Sequence, residues 1–332
     1  MIMNRHFLSF AAALVAVAAQ AQSHLTATLS HDGQQQVFSG AEALKQAHEA
    51  AASGDVITLS PGVFTAVDIK KGITLHGAGI NVSNPTKSLT RLNGDFSLSV
   101  PEEAGVFNME GIFHNDYLSI DTLVNAQITR CRLYTIGCGI SFAIDIRGIN
   151  FVHCKIANKC CLESGTANFL NCYIHMIDDN GANSYILSNC VLRWRGTGLR
   201  NSSITNCIVL DGTYALDPTN MVSYSMASNE GLSDVVTTAN NYPMSTDTDW
   251  VGTVFKTLTA ATEYAYSDTE TYELKEEAAR NYLGEDGTQI GMYGGNMPFT
   301  MELSYPEITR FDVDSKSSTD GTLQVNVEVK TK

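Results

Sequence analysis

Two adjacent carboxylates, Asp178 and Asp179, are the first residues in this chain that could do chemistry. Neighbouring carboxylates can hold Ca2+ through hard oxygen ligands, or divide the roles of acid and base at a glycosidic bond. Arg195 follows next to Trp194. A guanidinium there could neutralise a uronate or take a proton, and the indole could stack on a sugar ring. Asp178, Asp179 and Arg195 are therefore the catalytic candidates. A second set has the spacing of a column. Asp145, Glu163, Asn183 and Arg200 each follow an apolar residue (Ile144, Leu162, Ala182, Leu199) that stands 10, 10, 8 and 8 residues before the next cysteine of a repeat. With those apolar residues inward, the four polar ones point outward in a line. Lys159 lies in a loop leading to that line. Asp, Glu, Asn, Arg and Lys supply the donors and acceptors that bond sugar hydroxyls, so these five are the ligand-binding candidates. A plainer account covers the same residues: unlike charges stacked on a solvated face, and Asp178-Asp179-Asn180-Gly181 as a turn.

The element that must position them is a repeated phrase: apolar, any, polar, cysteine, any, apolar. It runs from Ile128 to Leu133, Phe151 to Ile156, Phe169 to Ile174, Leu187 to Leu192 and Ile204 to Val209, with cysteines 23, 18, 18 and 17 residues apart. A period near 18 suits one turn of a β-solenoid. Strict alternation cannot place the apolar residues and the cysteine on one side of a straight strand. A bend at Arg130, His153, Asn171, Asn189 or Asn206 can, and Asn tolerates the backbone angles of such a bend. Stacked Asn side chains would then bond one another. The five cysteines form an inward column, reduced, because rungs about 4.8 Å apart are too far for a disulfide. On the far side of the bend, Arg132, Lys155, Tyr173, Val191 and Ile208 point out with no common character, as a face without a ligand role. His175 and Arg193 are expected at the surface.

Around this repeat, Ser39 and Glu42 have capping-box spacing before a helix over about 41–52. Short β runs with Gly and Pro punctuation follow. Residues 212–279 read as longer loops with a few strands. Near the end, Pro306–Val313 and the alternating Leu323, Val325, Val327 and Val329 flank Asp320-Gly321, a hairpin. The start, with Arg5, an apolar run over 7–19 and Ala19-Gln20-Ala21, has the form of a secretory signal peptide cleaved after Ala21. That predicts export to the periplasm or outside the cell, with no lipoprotein cysteine and no membrane span. The net charge of −14 and the lack of a basic run exclude a nucleic-acid partner and otherwise suit solubility. Zinc-ligand spacing, P-loop, dinucleotide glycines and a nucleophile elbow are all absent from the sequence. Ca2+ at the Asp pair is the one cofactor the residues suggest. A monomer is expected.

The opening, Gly54-Asp55-Val56-Ile57-Thr58-Leu59-Ser60-Pro61-Gly62 and Gly72-Ile73-Thr74-Leu75-His76-Gly77, resembles secreted right-handed parallel β-helix proteins of the pectin lyase-like superfamily. The Asn-Cys turns and the closing Asn281–Gly287 and Ile290–Gly295 resemble it too. The likeness covers roughly residues 39–297. It implies an all-β fold, a right-handed parallel β-helix with an N-terminal helical cap and a C-terminal β-hairpin. The expected layout is a signal peptide (1–21), a polar leader (22–38), the β-helix (39–297) and a hairpin tail (298–332). In enzymes of the superfamily, the sheet expected to carry Asp145, Glu163, Asn183 and Arg200 lines a polysaccharide groove. Of the polygalacturonase elements only Asp178-Asp179 is present. The sequence therefore points to a secreted protein that binds a polysaccharide or cell-surface glycan on an exposed parallel sheet. The alternative is a polysaccharide lyase, or a related carbohydrate-active enzyme, acting on an acidic glycan.

Overall fold

A computed structural model describes residues 25–83, 85, 89–137, 145–162, 165–178, 183–194, 199–210, 216–227, 232, 235–244, 250–259, 266–305, 307–313 and 325–330. The signal-peptide segment lies outside them, as do Cys138, Glu163, Asp179, Arg195 and the Asp320-Gly321 turn.

The chain winds into a parallel β-solenoid of about eight turns. Its bend is set by backbone conformation. Arg130, His153, Asn171, Asn189 and Asn206 all have φ between 48° and 57°, the left-handed region that side-chain-bearing residues rarely enter. Before the bend, the strands Asp145–Val152, Gly165–Leu170, Asn183–Ser188 and Ser203–Thr205 stack in parallel. We call this the leading sheet. After the bend, the strands Lys155–Cys161, Tyr173–Met176, Val191–Trp194 and Ile208–Val209 form the cysteine sheet. A short third stack completes the coil, with Leu118 beside Ile136, Ile136 beside Cys160 and Cys160 bridged to Ile177. Two more coils run through residues 221–243, bending at Tyr224 and Asn240. The expected few strands of 212–279 are there, but their stacking as further coils is not marked in the sequence, because neither coil carries the cysteine.

The core is stacked rung on rung. Phe151 and Phe169 lie parallel, with centroids 4.8 Å apart, which is the rung spacing itself. The five cysteines are fully buried and free. They do more than fill space. Each Sγ–H donates to the carbonyl two residues back, from 3.1 Å at Cys207 to 3.5 Å at Cys154. The sulfurs of Cys172 and Cys207 also accept the backbone N–H of Cys154 and Cys190, both at 3.3 Å. In the next coil Ser225 takes over both duties. Burial pushes the thiols of Cys131, Cys172 and Cys207 up, so they stay protonated.

The N-terminal end is closed by a helix, Ala43–Ala50, which buries Ala43, Leu44 and Ala47. The expected capping box does not form. Glu42 is the N-cap without a side-chain cap bond. The helix is held at its other end, where Lys71 Nζ donates to the carbonyls of His48, Glu49 and Ala51. The polar leader contains a hairpin, Thr26–His31 with Gln34–Ser39. Its first strand pairs antiparallel with Val56–Leu59 and so covers an open sheet edge. The C-terminal hairpin pairs Glu307–Val313 antiparallel with Val325–Lys330, with Val313, Phe311 and Ile308 in register with Val325, Val327 and Val329.

The outward face of the cysteine sheet is not a surface. Arg132, Lys155, Tyr173, Val191 and Ile208 are each at most 5% exposed. Residues 250–258 and 266–299 lie over the apolar part of it, with Trp250, Val251, Phe255 and Tyr272 packed against Val191, Ile208 and Tyr173. The drift from basic to apolar along this column is matched from above. Arg132 Nε meets Asp268 Oδ1 at 2.9 Å, and Lys155 Nζ donates to the carbonyls of Asp268 and Glu270. Tyr173 stacks on Tyr272, centroids 4.2 Å apart. Arg193 is likewise buried, 5% exposed, while His175 is half-buried and bonded to the Tyr173 hydroxyl at 3.1 Å. The surface expectation for Arg193 is thereby overturned. A strand pattern cannot show that a distant segment folds back over it.

From there the chain runs back along the column of bends as a strap. Glu285 N–H donates to Asn206 Oδ1 at 2.9 Å, and Asn171 Nδ2 donates to the carbonyls of Met292 and Gly294, both at 2.8 Å. His153 Nε2 meets the carbonyl of Met297 at 3.0 Å, and Ser304 N–H donates to Glu110 Oε1 at 2.7 Å. A Cβ on Gly284 would sit 2.7 Å from Asn206 Cγ, so glycine there lets the strap lie close against the bend. Asn171 and Asn206 thus serve the strap, where bonding between stacked bend asparagines was expected.

Candidate functional site

The leading sheet is left with an open face. Its outward positions are set by the left-handed bend: the residue three before it and the one immediately before it both point out of the coil, the latter covered at Glu110 and Thr129. The first of these columns is polar over five successive coils. Thr74 pairs with Asn108, Asn108 with Gln127, Gln127 with Asn150 and Asn150 with Asn168. Gln127 and Asn150 are exposed and the others half-buried. Asn168 Nδ2 donates to Asn150 Oδ1 at 2.8 Å, and Asn108 Nδ2 reaches Thr74 Oγ1 at 3.4 Å. Each amide keeps further donors and acceptors for a ligand. Further along, the column turns apolar at Ile186 and Met221, 50% and 52% exposed.

The second outward column begins His76, Glu110, Thr129. Between the two columns, at the N-terminal end, lies a cleft of about 330 Å³. Thr74, Asn108 and Gln127 line one side of it; His76, Glu110 and Arg130 line the other, with Ser304 of the strap. Glu110 is held from two directions. Arg130 Nη1 lies 2.9 Å from its Oε1, and the Ser304 hydroxyl donates to its Oε2. His76 stacks on Tyr305, centroids 4.3 Å apart. Burial lowers the His76 pKa against the opposing pull of Glu110, so the imidazole is neutral at neutral pH.

The residues singled out by sequence fall in several places. Asp145 opens its strand on the leading sheet and is bonded by Arg147 Nε at 3.0 Å; Arg147 also reaches Glu102 at 2.7 Å. Ile149 pairs with Ala167 and Gly165 with Asn183, so Asn183 stands level with Arg147 and not with Asp145. The 10- and 8-residue spacings to the cysteine therefore mark a two-residue step in register, not one line. Arg200 precedes the strand Ser203–Thr205 and pairs with Asp217 at 3.0 Å. Lys159 lies on the third stack and pairs with Asp178 at 2.8 Å. Asp178 is thus neutralised by a lysine, and among the described residues no cluster of three His, Cys, Asp or Glu side chains could hold a metal. Glu163, Asp179 and Arg195 lie outside the described residues.

The amide column and the cleft were missed, yet a signal for them exists. Gln127, Asn150 and Asn168 each stand immediately before the repeated phrase, and Asn108 and Thr74 hold the same place before Gly111 and Gly77. Extending the phrase by one residue would have exposed the column. Among the described residues, no helix is long and apolar enough to cross a membrane. No protein family, no curated protein and no solved structure matches this chain.

Proposed function

We propose that this is an exported glycan-binding β-helix protein of the pectin lyase-like kind, which holds an extended polysaccharide along the leading sheet. The observation that carries this reading is the column Thr74–Asn108–Gln127–Asn150–Asn168. It offers one neutral donor-acceptor group per rung, about 4.8 Å apart, to a polymer of repeating hydroxyls. Asp145, Asn183 and Arg200 flank the entry edge of the same sheet; Lys159 lies on the neighbouring stack. Binding is favoured over turnover because the described carboxylates near the face are engaged: Glu110 by Arg130 and Ser304, Asp145 by Arg147, Asp178 by Lys159. A general base needs a free lone pair aimed at substrate.

A glycan panel, read both for binding and for release of unsaturated product, tests the reading. Binding without product is expected. Product release from an acidic glycan would select the lyase alternative. The double variant Gln127→Ala/Asn150→Ala should weaken binding at least tenfold with an unchanged thermal midpoint, because exposed positions cost little stability. Unaltered affinity would remove the face from consideration. Export is checked by N-terminal sequencing of secreted protein, which should begin at Gln22.

A further inference from the structure

We propose that the cleft between Asn108, Gln127 and Ser304 is a subsite for an uncharged, hydroxyl-rich sugar ring, and that the ligand there bridges the solenoid to its C-terminal strap. This rests on the glycan-binding reading and goes further by naming the class of sugar. At about 330 Å³ the cleft is at the small end of ligand pockets, the size for a ring or two and not for a long chain. Its charges cancel internally. Arg130 is paired with Glu110 at 2.9 Å, and the Glu110 side chain is 8% exposed. A uronate entering here would meet a guanidinium already neutralised and a buried carboxylate beside it, so an acidic ring is disfavoured by desolvation without a compensating ion pair. The wall opposite is amide and hydroxyl: Asn108, Gln127 and Thr74. Each can both donate and accept, as a sugar hydroxyl requires. His76, held flat by Tyr305, adds an unprotonated ring. Ser304 is the strap's contribution. It reaches Glu110 with both its N–H and its hydroxyl, so the wall it forms exists only while the strap is docked.

Calorimetric titration of the full mature chain with hexasaccharides of glucose, xylose and mannose, and with a hexagalacturonate, is the direct test. A neutral hexasaccharide should bind at least tenfold more tightly than the hexagalacturonate. Asn108→Leu should lose at least tenfold in affinity, with Gln127→Leu at an exposed position reporting the same loss if the first variant does not fold. Bound ligand should also slow proteolysis within residues 297–305. Preference for the hexagalacturonate overturns the proposal. So does unaltered affinity in the folded cleft variants when Asn150→Ala/Asn168→Ala abolishes binding; that result leaves the sheet reading standing. No binding by any of the four probes overturns both.

Discussion

At the scale of the residue, the cysteine column shows how a small side chain solves a backbone problem. The left-handed bend turns N–H groups inward at Cys154 and Cys190, and the sulfur of the next coil accepts each of them. A buried donor left unpaired costs about 1–3 kcal/mol. Cys172→Ala should therefore destabilise the protein by about that amount in urea unfolding, because Cys154 N–H loses its acceptor. Cys172→Ser should cost clearly less, since Ser225 already fills the equivalent place in its own coil. Equal losses in the two variants would show that volume alone matters. The column was legible in the sequence as spacing. Its hydrogen bonds were not, because they depend on bend geometry that spacing does not carry.

At the scale of the element, the strap and the segment before it decide which faces of the solenoid are surface. Burial pushes the Lys155 ammonium down to about 8 from its ordinary 10.5. Between those values the unfolded chain binds the extra proton, so stability rises with pH across the window. The buried phenols of Tyr173 and Tyr293, pushed up to about 12, work the other way. Unfolded tyrosine ionises from about pH 10 while these cannot, and stability falls above that pH. Thermal midpoints measured from pH 7 upward should therefore rise beyond about pH 8 and turn over above about pH 10. Lys155→Met should flatten the rise and leave the fall. Ending the chain after Leu258 should uncover Tyr173 and much of the apolar patch around Val191 and Ile208; dye binding to apolar surface and aggregation should both increase.

At the scale of the whole molecule, coil and strap must agree in length. Three bend residues each meet their own strap residue: Asn206 meets Glu285, Asn171 meets Met292 and Gly294, His153 meets Met297. Deleting residues 171–188 removes one coil and rejoins Leu170 to Asn189, another left-handed bend residue. Solenoids tolerate such a change because each coil contacts only its neighbours. Strand content by circular dichroism should persist. The strap would then be one rung too long, and the thermal midpoint should fall by several degrees with faster proteolysis of 284–305. An unchanged midpoint would mean that the strap adds nothing to stability.

What the sequence by itself determined is local and periodic. The phrase from Ile128 to Val209 specified inward and outward positions, the bend residues and the solenoid, because side-chain alternation and left-handed tolerance are properties of short segments. The terminal hairpin was legible for the same reason. Tertiary structure alone decided the rest. It covered Arg132 and Lys155 with residues far away in the chain. It also brought Ser304 to Glu110, 194 residues apart, to wall the cleft. Which outward column stays open depends on where a returning segment lies down. That is settled by complementary charge and apolar area over the whole molecule, not by any one period of the chain.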